Sequence, residues 1–128
     1  MTKNILIVEN DEKLVEILKE FFSEYGYNLK VLPQAYDIRP LVKEFQADLV
    51  LLDFLLPGVN GGELCLQIKR SEILKNIPVI IYSAFPKVML SLGDYACNAF
   101  ISKPFNLEDL MLQIEACMNE PERNYLLP

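Results

Sequence analysis

The sequence contains no histidine and only three cysteines among its 128 residues. Cys65, Cys97 and Cys117 have no Cys-x-x-Cys spacing, so the sequence indicates neither a zinc site nor a disulfide framework. Each lies in an apolar pattern, and we expect all three to be small buried hydrophobic residues. Because histidine is absent, a His-based catalytic triad is excluded, and a histidine that exchanges phosphate with this chain would have to come from another protein.

Long apolar runs and clusters of positive charge are also missing. The longest apolar stretches run only a few residues and no basic segment precedes them, so we expect no membrane span, no export signal and a cytoplasmic location. The 12 Lys and Arg residues are scattered and the formal net charge is −6, which argues against nucleic-acid binding by this chain alone. A hydrophobic fraction of 52% is typical of one globular domain with its own core.

Short apolar runs alternate five times with amphipathic segments of helical length, which is typical of a βαβ series. The second run is the most polar and indicates a sheet edge, whereas the third is apolar at consecutive positions, as expected when helices cover both faces. The predicted strands are Asn4 to Glu9, Asn28 to Leu32, Asp48 to Asp53, Val79 to Ser83 and Ala99 to Ser102.

Helical spacing of apolar residues places a helix after each strand. In the first predicted helix, apolar residues recur from Leu14 until Tyr25-Gly26 stops it. The others are predicted at Ile38 to Phe45 with Pro40 in the first turn, Glu63 to Ser71, Phe85 to Tyr95, and from the cap Asn106 to Cys117. Pro86 and Gly93 interrupt the fourth, which we expect to be short or mobile. We assign residues 1–119 to the domain and residues 120–128 to a polar tail or linker stub.

Polar residues follow four of the predicted strands. Right-handed crossovers allow five parallel strands to be wound with helices on both faces, and all carboxyl ends then share one edge. That edge would gather Glu9, Asn10, Asp53, Ser83 and Lys103 into one charged pocket. A carboxylate there can attack an activated phosphoryl group and form an acyl phosphate that water later cleaves. Asp53 as a plain cap or turn acid is less fitting, since the loop after it is long.

Four stretches of the sequence resemble the response-regulator receiver domain of two-component signalling. They are Ile-Leu-Ile-Val-Glu-Asn-Asp (5–11), Leu-Leu-Asp-Phe-Leu-Leu-Pro-Gly-Val-Asn-Gly (51–61), Ile-Pro-Val-Ile-Ile-Tyr-Ser-Ala (77–84) and Phe-Ile-Ser-Lys-Pro-Phe (100–105). The resemblance runs from about Asn4 to Met118. It implies a doubly wound, flavodoxin-like (βα)5 fold with strand order 2-1-3-4-5. It also implies a signalling module, not an enzyme.

The resemblance implies a role for each candidate residue. Asp53 would accept the phosphoryl group, Lys103 would contact it, Ser83 would be the switch hydroxyl and Phe100 the aromatic switch residue. Mg²⁺, or Mn²⁺ in its place, would be held by Glu9, Asn10, Asp53 and the Leu55 carbonyl, consistent with the oxygen ligands that Mg²⁺ prefers. The implied partners are a sensor histidine kinase or phosphotransfer protein, and an effector domain or downstream protein. A phosphorylation-dependent dimer is implied as well.

Several residues have a second interpretation. Asn10 stands where the family usually has Asp, which should weaken Mg²⁺ binding, and it is also a candidate helix N-cap. Ser83 is also a candidate capping hydroxyl, Phe100 a core aromatic and Lys103 a solvated surface residue. An X-Pro bond in a tight bend can aim the preceding side chain over the sheet edge, and we predict a cis Lys103–Pro104 peptide.

Two functions follow from these alternatives. The first is a receiver domain phosphorylated at Asp53 with the help of Mg²⁺. The second is a pseudo-receiver that binds metal weakly or not at all and only presents a surface to a protein partner. An aspartate-nucleophile phosphatase needs a second acid two positions after the nucleophile, where this chain has Leu55, so we discount it. Ser83 and Lys103 are 20 positions apart, tighter than is usual in the family, and we expect the shortening between Phe85 and Tyr95.

Overall fold

Five parallel strands form the single sheet of this computed structural model, which describes residues 2–85 and 95–119. The strands are β1 (Asn4–Val8), β2 (Asn28–Leu32), β3 (Leu49–Asp53), β4 (Val79–Ser83) and β5 (Ala99–Ser102). The described helices are α1 (Glu12–Ser23), α2 (Arg39–Phe45), α3 (Gly61–Lys69) and α4 (Leu107–Met118). The spatial order is β2-β1-β3-β4-β5, so the predicted sheet is confirmed, with β2 at an edge.

The sheet has an apolar core on each face, because successive side chains of a strand point to opposite sides. Leu6, Val50, Leu52 and Ile81 pack with residues of α2 and α3, including Val42, Leu64 and Ile68. Ile5, Ile7, Leu51 and Ile80 pack on the other side with residues of α1 and α4, including Leu18, Phe22 and Ile114. All five residues of β3 and all five of β4 are buried, which confirms that helices cover both faces.

The predicted helix starts are confirmed at α2 and α4, but the cap of α1 differs from the prediction. Asn106 caps α4 and Pro40 lies in the first turn of α2, both as predicted. At α1 the cap is Asp11, whose carboxylate accepts hydrogen bonds from the amides of Lys13 and Leu14. The interpretation of Asn10 as the N-cap is therefore wrong, because the helix begins one residue later than a cap at Asn10 requires.

Two further details differ from the predictions. Cys65 is buried, but Cys97 and Cys117 are only partly buried, so the expectation that all three are core residues is wrong. Cys97 lies just before β5 and Cys117 in the last turn of α4, where neighbours cover a side chain from one side. The predicted helices also shift at their ends. α1 ends at Ser23 rather than Tyr25, and α3 begins at Gly61 rather than Glu63.

Some predictions fall outside the described residues. These are the fourth predicted helix, whose residues 86–94 are not described, the shortening expected there, and the tail 120–128. Among the helices in the described ranges, none has the length and apolar character needed to traverse a lipid bilayer.

Candidate functional site

The carboxyl ends of β1, β3, β4 and β5 meet at one edge of the sheet. In the register of the strands, Asp53 lies beside Tyr82 and Ser83 beside Ser102. The backbone pairing continues past the strands, because the amide of Lys103 donates to the Ser83 carbonyl at 2.8 Å. The Lys103–Pro104 peptide at this bend is cis, as predicted.

At this edge, the ammonium group of Lys103 contacts two buried carboxylates. Lys103 Nζ lies 3.1 Å from Asp53 Oδ2 and 3.5 Å from Glu9 Oε1, although Lys103 and Glu9 are 94 positions apart in the sequence. Glu9 is 2% and Asp53 6% exposed, so neither carboxylate is solvated as a surface group would be. The Lys103 side chain is 23% exposed and paired, which argues against the solvated surface interpretation. Among residues 2–85 and 95–119, two negative charges face one positive charge here, so this described part of the site is net negative.

The pKa of Asp53 reflects this imbalance. Burial, followed by the negative charge of Glu9, raises the pKa of Asp53 to about 6. Contacts with Lys103 and the Leu55 amide, which donates to Asp53 Oδ1 at 3.1 Å, act in the opposite direction. Asp53 is therefore mainly ionised at neutral pH, the form in which a carboxylate is a nucleophile.

Glu9 is held from two directions. The amide of Asp11 donates to Glu9 Oε2 at 2.8 Å, and the Tyr82 hydroxyl donates to Glu9 Oε1 at 2.5 Å. Burial, reinforced by the charge of Glu9, raises the pKa of Tyr82 far above its usual range, so Tyr82 stays a hydrogen-bond donor. Lys103 Nζ lies 4.9 Å from the centroid of the Tyr82 ring, within the range of a cation–π contact.

Tyr82 is the site residue that the sequence analysis missed. A signal for it exists, because Tyr82 is the only aromatic residue of β4 and a buried tyrosine hydroxyl usually needs a polar partner. The partner could not be found from the sequence, since Glu9 is 73 positions away and follows β1, which is not a neighbour of β4.

The remaining candidates lie at or near the edge but make fewer contacts. Asn10 is exposed directly after Glu9, and its side chain makes no hydrogen bond within residues 2–85 and 95–119. Ser83 is fully buried, and its Oγ accepts from the Phe85 amide at 3.0 Å, which is the geometry of a capping hydroxyl. Phe100 is half-buried and packs against the core on the α2 and α3 face. Both second interpretations are therefore compatible with the structure.

A close backbone contact fixes the loop that follows Asp53. A Cβ atom at Gly61 would overlap the carbonyl oxygen of Asp53, so only glycine permits this approach. The Gly61 amide donates to the Phe54 carbonyl at 2.9 Å, and Asn60 caps α3 through the Glu63 amide. The start of α3 is thereby packed directly against the end of β3.

The donor set at this edge suits a hard divalent cation. Among the described residues, no group of three His, Cys, Asp or Glu side chains is arranged to hold a metal. Mg²⁺ does not need such a group, because it commonly takes one or two carboxylates and keeps several waters. Glu9 and Asp53 are two carboxylates with one shared countercharge, so a cation would offset the excess negative charge. The residues present fit Mg²⁺.

Residues 5–115 match the family model of the response regulator receiver domain. The chain belongs to this family. Receiver domains are modules of two-component signalling, not conventional enzymes, and accepting a phosphoryl group is the standard function of the family. The resemblance found in the sequence is thereby confirmed.

Two regulators illustrate the extent of the similarity. The response regulator ArlR of Staphylococcus saprophyticus is 32% identical over 98% of this chain and 57% of its own length. The polar-differentiation response regulator DivK of Brucella ovis is 30% identical over 94% of this chain and 99% of its own length. For the first relatives, many of them transcriptional regulators, this receiver domain spans only about half of the protein.

Solved structures agree with the fold. The non-phosphorylated HemR receiver domain of Leptospira biflexa is 30% identical with a TM-score of 0.78, over 91% of this chain and 94% of that one. The response regulator TrrA of Thermotoga maritima, solved in complex with Mg²⁺ and BeF, is 28% identical with a TM-score of 0.74, over 91% and 99% of the two chains.

Proposed function

We propose that Asp53 is the phosphoryl acceptor of this receiver domain and that the donor is a phosphohistidine on a sensor histidine kinase or phosphotransfer protein. The observation that carries the proposal is the position of Lys103 Nζ, 3.1 Å from Asp53 Oδ2, with the Glu9 carboxylate beside it. A nucleophile, an ammonium and a second carboxylate converge here from β3, β5 and β1. These 128 residues contain no histidine, so the phosphoryl donor lies outside them.

The reaction follows from the chemistry of the carboxylate. An oxygen of Asp53 attacks the phosphorus atom, an O–P bond forms, and the P–N bond of the donor breaks. The imidazole leaves with its electron pair and takes up a proton. Lys103 is placed to hold negative charge on the transferred oxygens by its fixed ammonium. Water later cleaves the acyl phosphate and regenerates the carboxylate.

Mg²⁺ binding at this site is part of the proposal, with Mn²⁺ as a substitute. Glu9, Asn10, Asp53 and the Leu55 carbonyl are the groups that would hold the cation. When bound, the cation offsets the charge of the carboxylates and of the incoming phosphoryl oxygens. Asn10 contributes an amide oxygen in place of a carboxylate, so we expect binding that is weaker than in a site with Asp at this position.

We propose that phosphorylation acts on the rest of the molecule through Ser83 and Phe100. The Ser83 hydroxyl now accepts from the Phe85 amide and would turn to the phosphoryl oxygens, and Phe100 would move into the space that it leaves. The altered surface would bind an effector domain, a downstream protein or a second copy of the chain. We place the domain at residues 1–119, with 120–128 as a tail or linker, and the protein in the cytoplasm.

Phosphorylation by a small donor tests the proposal. Incubation with Mg²⁺ and acetyl phosphate should add one phosphate to the wild type and none to Asp53→Asn, as measured by intact-protein mass spectrometry. Asp48→Asn is a matched control at the opposite end of the same run, where Asp48 accepts from the Asn4 amide and Asn can do the same. This control should be labelled like the wild type. Equal labelling of Asp53→Asn would remove Asp53 from its role.

A pseudo-receiver is the second candidate, and Asn10 favours it because the site has one carboxylate fewer than usual. In that case Mg²⁺ would not saturate the site and acetyl phosphate would label neither the wild type nor the control. Titration with Mg²⁺, followed by amide shifts in NMR spectra, separates the two functions. Saturable shifts at residues 9–11 and 53–55 support the phosphorylated receiver, and their absence supports the pseudo-receiver.

A further inference from the structure

Tyr82 occupies a position between the two carboxylates of the site. It lies beside Asp53 in the sheet and is fully buried, with its ring packed edge-on against Phe105 at 5.4 Å. Its hydroxyl reaches across to Glu9 Oε1 at 2.5 Å, a length typical of a hydrogen bond from a hydroxyl to a charged carboxylate. Lys103 Nζ lies 4.9 Å from the centroid of the ring, while the hydroxyl contacts Glu9.

The carboxylate of Glu9 accepts hydrogen bonds from more donors than the carboxylate of Asp53 does. Glu9 accepts from the Asp11 amide, the Tyr82 hydroxyl and, at 3.5 Å, Lys103. Asp53 Oδ1 accepts from the Leu55 amide. Within residues 2–85 and 95–119, Asp53 Oδ2 has Lys103 as its one donor, at 3.1 Å. Lys103 is thus closer to the carboxylate that has fewer donors.

We propose that Tyr82 is a positioning residue: by donating to Glu9, its hydroxyl leaves the Lys103 ammonium at Asp53, where the transferred phosphoryl group would be held. The inference rests on the proposed function of Asp53 and extends it to a residue of β4. Without the hydroxyl, Glu9 Oε1 is a buried charged acceptor that has lost its closest donor. Of the residues that the structure describes, Lys103, 3.5 Å away, is the one whose donor can replace the hydroxyl, and its movement toward Glu9 takes it from Asp53.

The structure of the Tyr82→Phe variant tests this directly and does not depend on phosphorylation. The ring, and with it the core packing, is retained while the hydroxyl is removed. Lys103 Nζ should move to about 2.8 Å from Glu9 Oε1, the length of a charged N–H···O bond, and out of hydrogen-bond range of Asp53 Oδ2. If Lys103 remains at 3.1 Å from Asp53, as in the wild type, the proposal is overturned.

The matched control is Tyr27→Phe. Tyr27 packs against the same core, and its hydroxyl is 3.9 Å from the Met111 sulfur, away from the carboxylates. This variant removes a hydroxyl from the same side of the sheet and should leave the position of Lys103 and the rate of phosphorylation unchanged. If it moves Lys103 as Tyr82→Phe does, the effect comes from general loosening of the core and the proposal fails.

A double-mutant cycle with Lys103→Met measures whether Tyr82 acts through Lys103. Tyr82→Phe should slow phosphorylation by acetyl phosphate about tenfold in the wild type, as expected for the loss of a hydrogen bond to a charged group. The same change should have an effect below about twofold when Lys103 is already Met. An equal loss in both backgrounds, or no loss in the wild type, overturns the proposal. If the wild type takes up no phosphate, the proposed function fails, and the position of Lys103 in the variant structure still decides the role of Tyr82.

Discussion

Strand β3 passes through two different environments, the body of the sheet and its carboxyl edge. Leu49 to Leu52 are completely buried among apolar side chains on both faces. Asp53, the next residue, is 6% exposed and is surrounded by charges and hydrogen-bond donors. Similar burial therefore has opposite consequences within one strand. In the body, burial stabilises the fold, whereas at the edge it raises the pKa of the Asp53 carboxyl group.

The body of the sheet and its carboxyl edge depend on different physical properties of their side chains. The body depends on volume and shape, because apolar side chains contribute by filling space and leaving water. The edge depends on the count of charges, since in the part of the chain that the structure describes Glu9 and Asp53 share the single ammonium of Lys103. Substitutions in the body should therefore change stability without changing the chemistry. Substitutions of the charged groups at the edge should change the chemistry, and they should change stability in a way that depends on pH.

The largest effect on stability is expected in the body. Leu52→Ala removes a side chain that is 0% exposed in the α2 and α3 core, and we expect the free energy of unfolding to fall by about 3 kcal/mol. Urea unfolding measures this loss. The folded fraction of Leu52→Ala should still accept one phosphate from acetyl phosphate. Loss of labelling in the folded protein would show that the two regions are not separable.

The next largest effect, that of Asp53→Asn, is a gain in stability rather than a loss. The pKa of Asp53 is about 6 in the folded chain and about 4 in an unfolded one, so the folded state holds this proton more tightly. The resulting stability is present below about pH 4 and is lost as the pH rises through about 6. Asp53→Asn cannot ionise, so without metal it should be more stable than the wild type by between about 2 and 3 kcal/mol at pH 7.5.

Urea unfolding of Asp53→Asn at several pH values checks this. The difference from the wild type should vanish near pH 4 and should shrink when Mg²⁺ is added at pH 7.5, because the cation stabilises the charged site. A wild type that is the more stable protein at pH 7.5 without metal would contradict the charge imbalance that we describe at the edge.

A smaller effect is expected from restoring one charge. Asn10→Asp adds a carboxylate next to Glu9, and we expect Mg²⁺ to bind about tenfold more tightly because affinity depends on the number of charged ligands. NMR or tyrosine fluorescence titration with Mg²⁺ gives the comparison. Unchanged affinity would mean that residue 10 does not contact the cation, and would favour the pseudo-receiver function.

The smallest effects are expected from substitutions of Asp11, whose role as a helix cap differs from the role that we propose for its neighbour Asn10. Asp11 caps α1, so Asp11→Ala should lower the free energy of unfolding by about 1 kcal/mol, and Asp11→Asn by much less because Asn is also a good cap. Neither change should alter the affinity for Mg²⁺ by more than about twofold. Urea unfolding and Mg²⁺ titration of both variants test this. A large loss of Mg²⁺ affinity in Asp11→Asn would place this carboxylate in the cation site.

Much of the fold was predictable, because it follows from repeating patterns. Four consecutive apolar residues in β3 indicate a strand buried on both faces, and the polar residues of β2 indicate an edge; both predictions are confirmed. The ends of helices were less predictable. Asn10 and Asp11 are both good capping residues, and only the packing of α1 decides that Asp11 caps it.

The site was predictable to the extent that parallel strands bring their ends together. Glu9, Asp53 and Lys103 converge as expected from their positions after predicted strands. Tyr82 was missed because its role depends on contacts across the sheet, with Glu9 two strands away. The partial exposure of Cys97 and Cys117 was missed for a related reason, since periodicity gives the face of an element but not how far its neighbours cover it.

Chemical trapping of the phosphorylated residue tests the central claim most directly. Borohydride reduces an aspartyl phosphate to homoserine, and peptide mass spectrometry then identifies the modified position. After incubation of the wild type with acetyl phosphate and Mg²⁺, we predict homoserine at position 53 alone. Reduction at any other aspartate, or no reduction in a protein that carries one phosphate, would contradict the assignment of Asp53 as the acceptor.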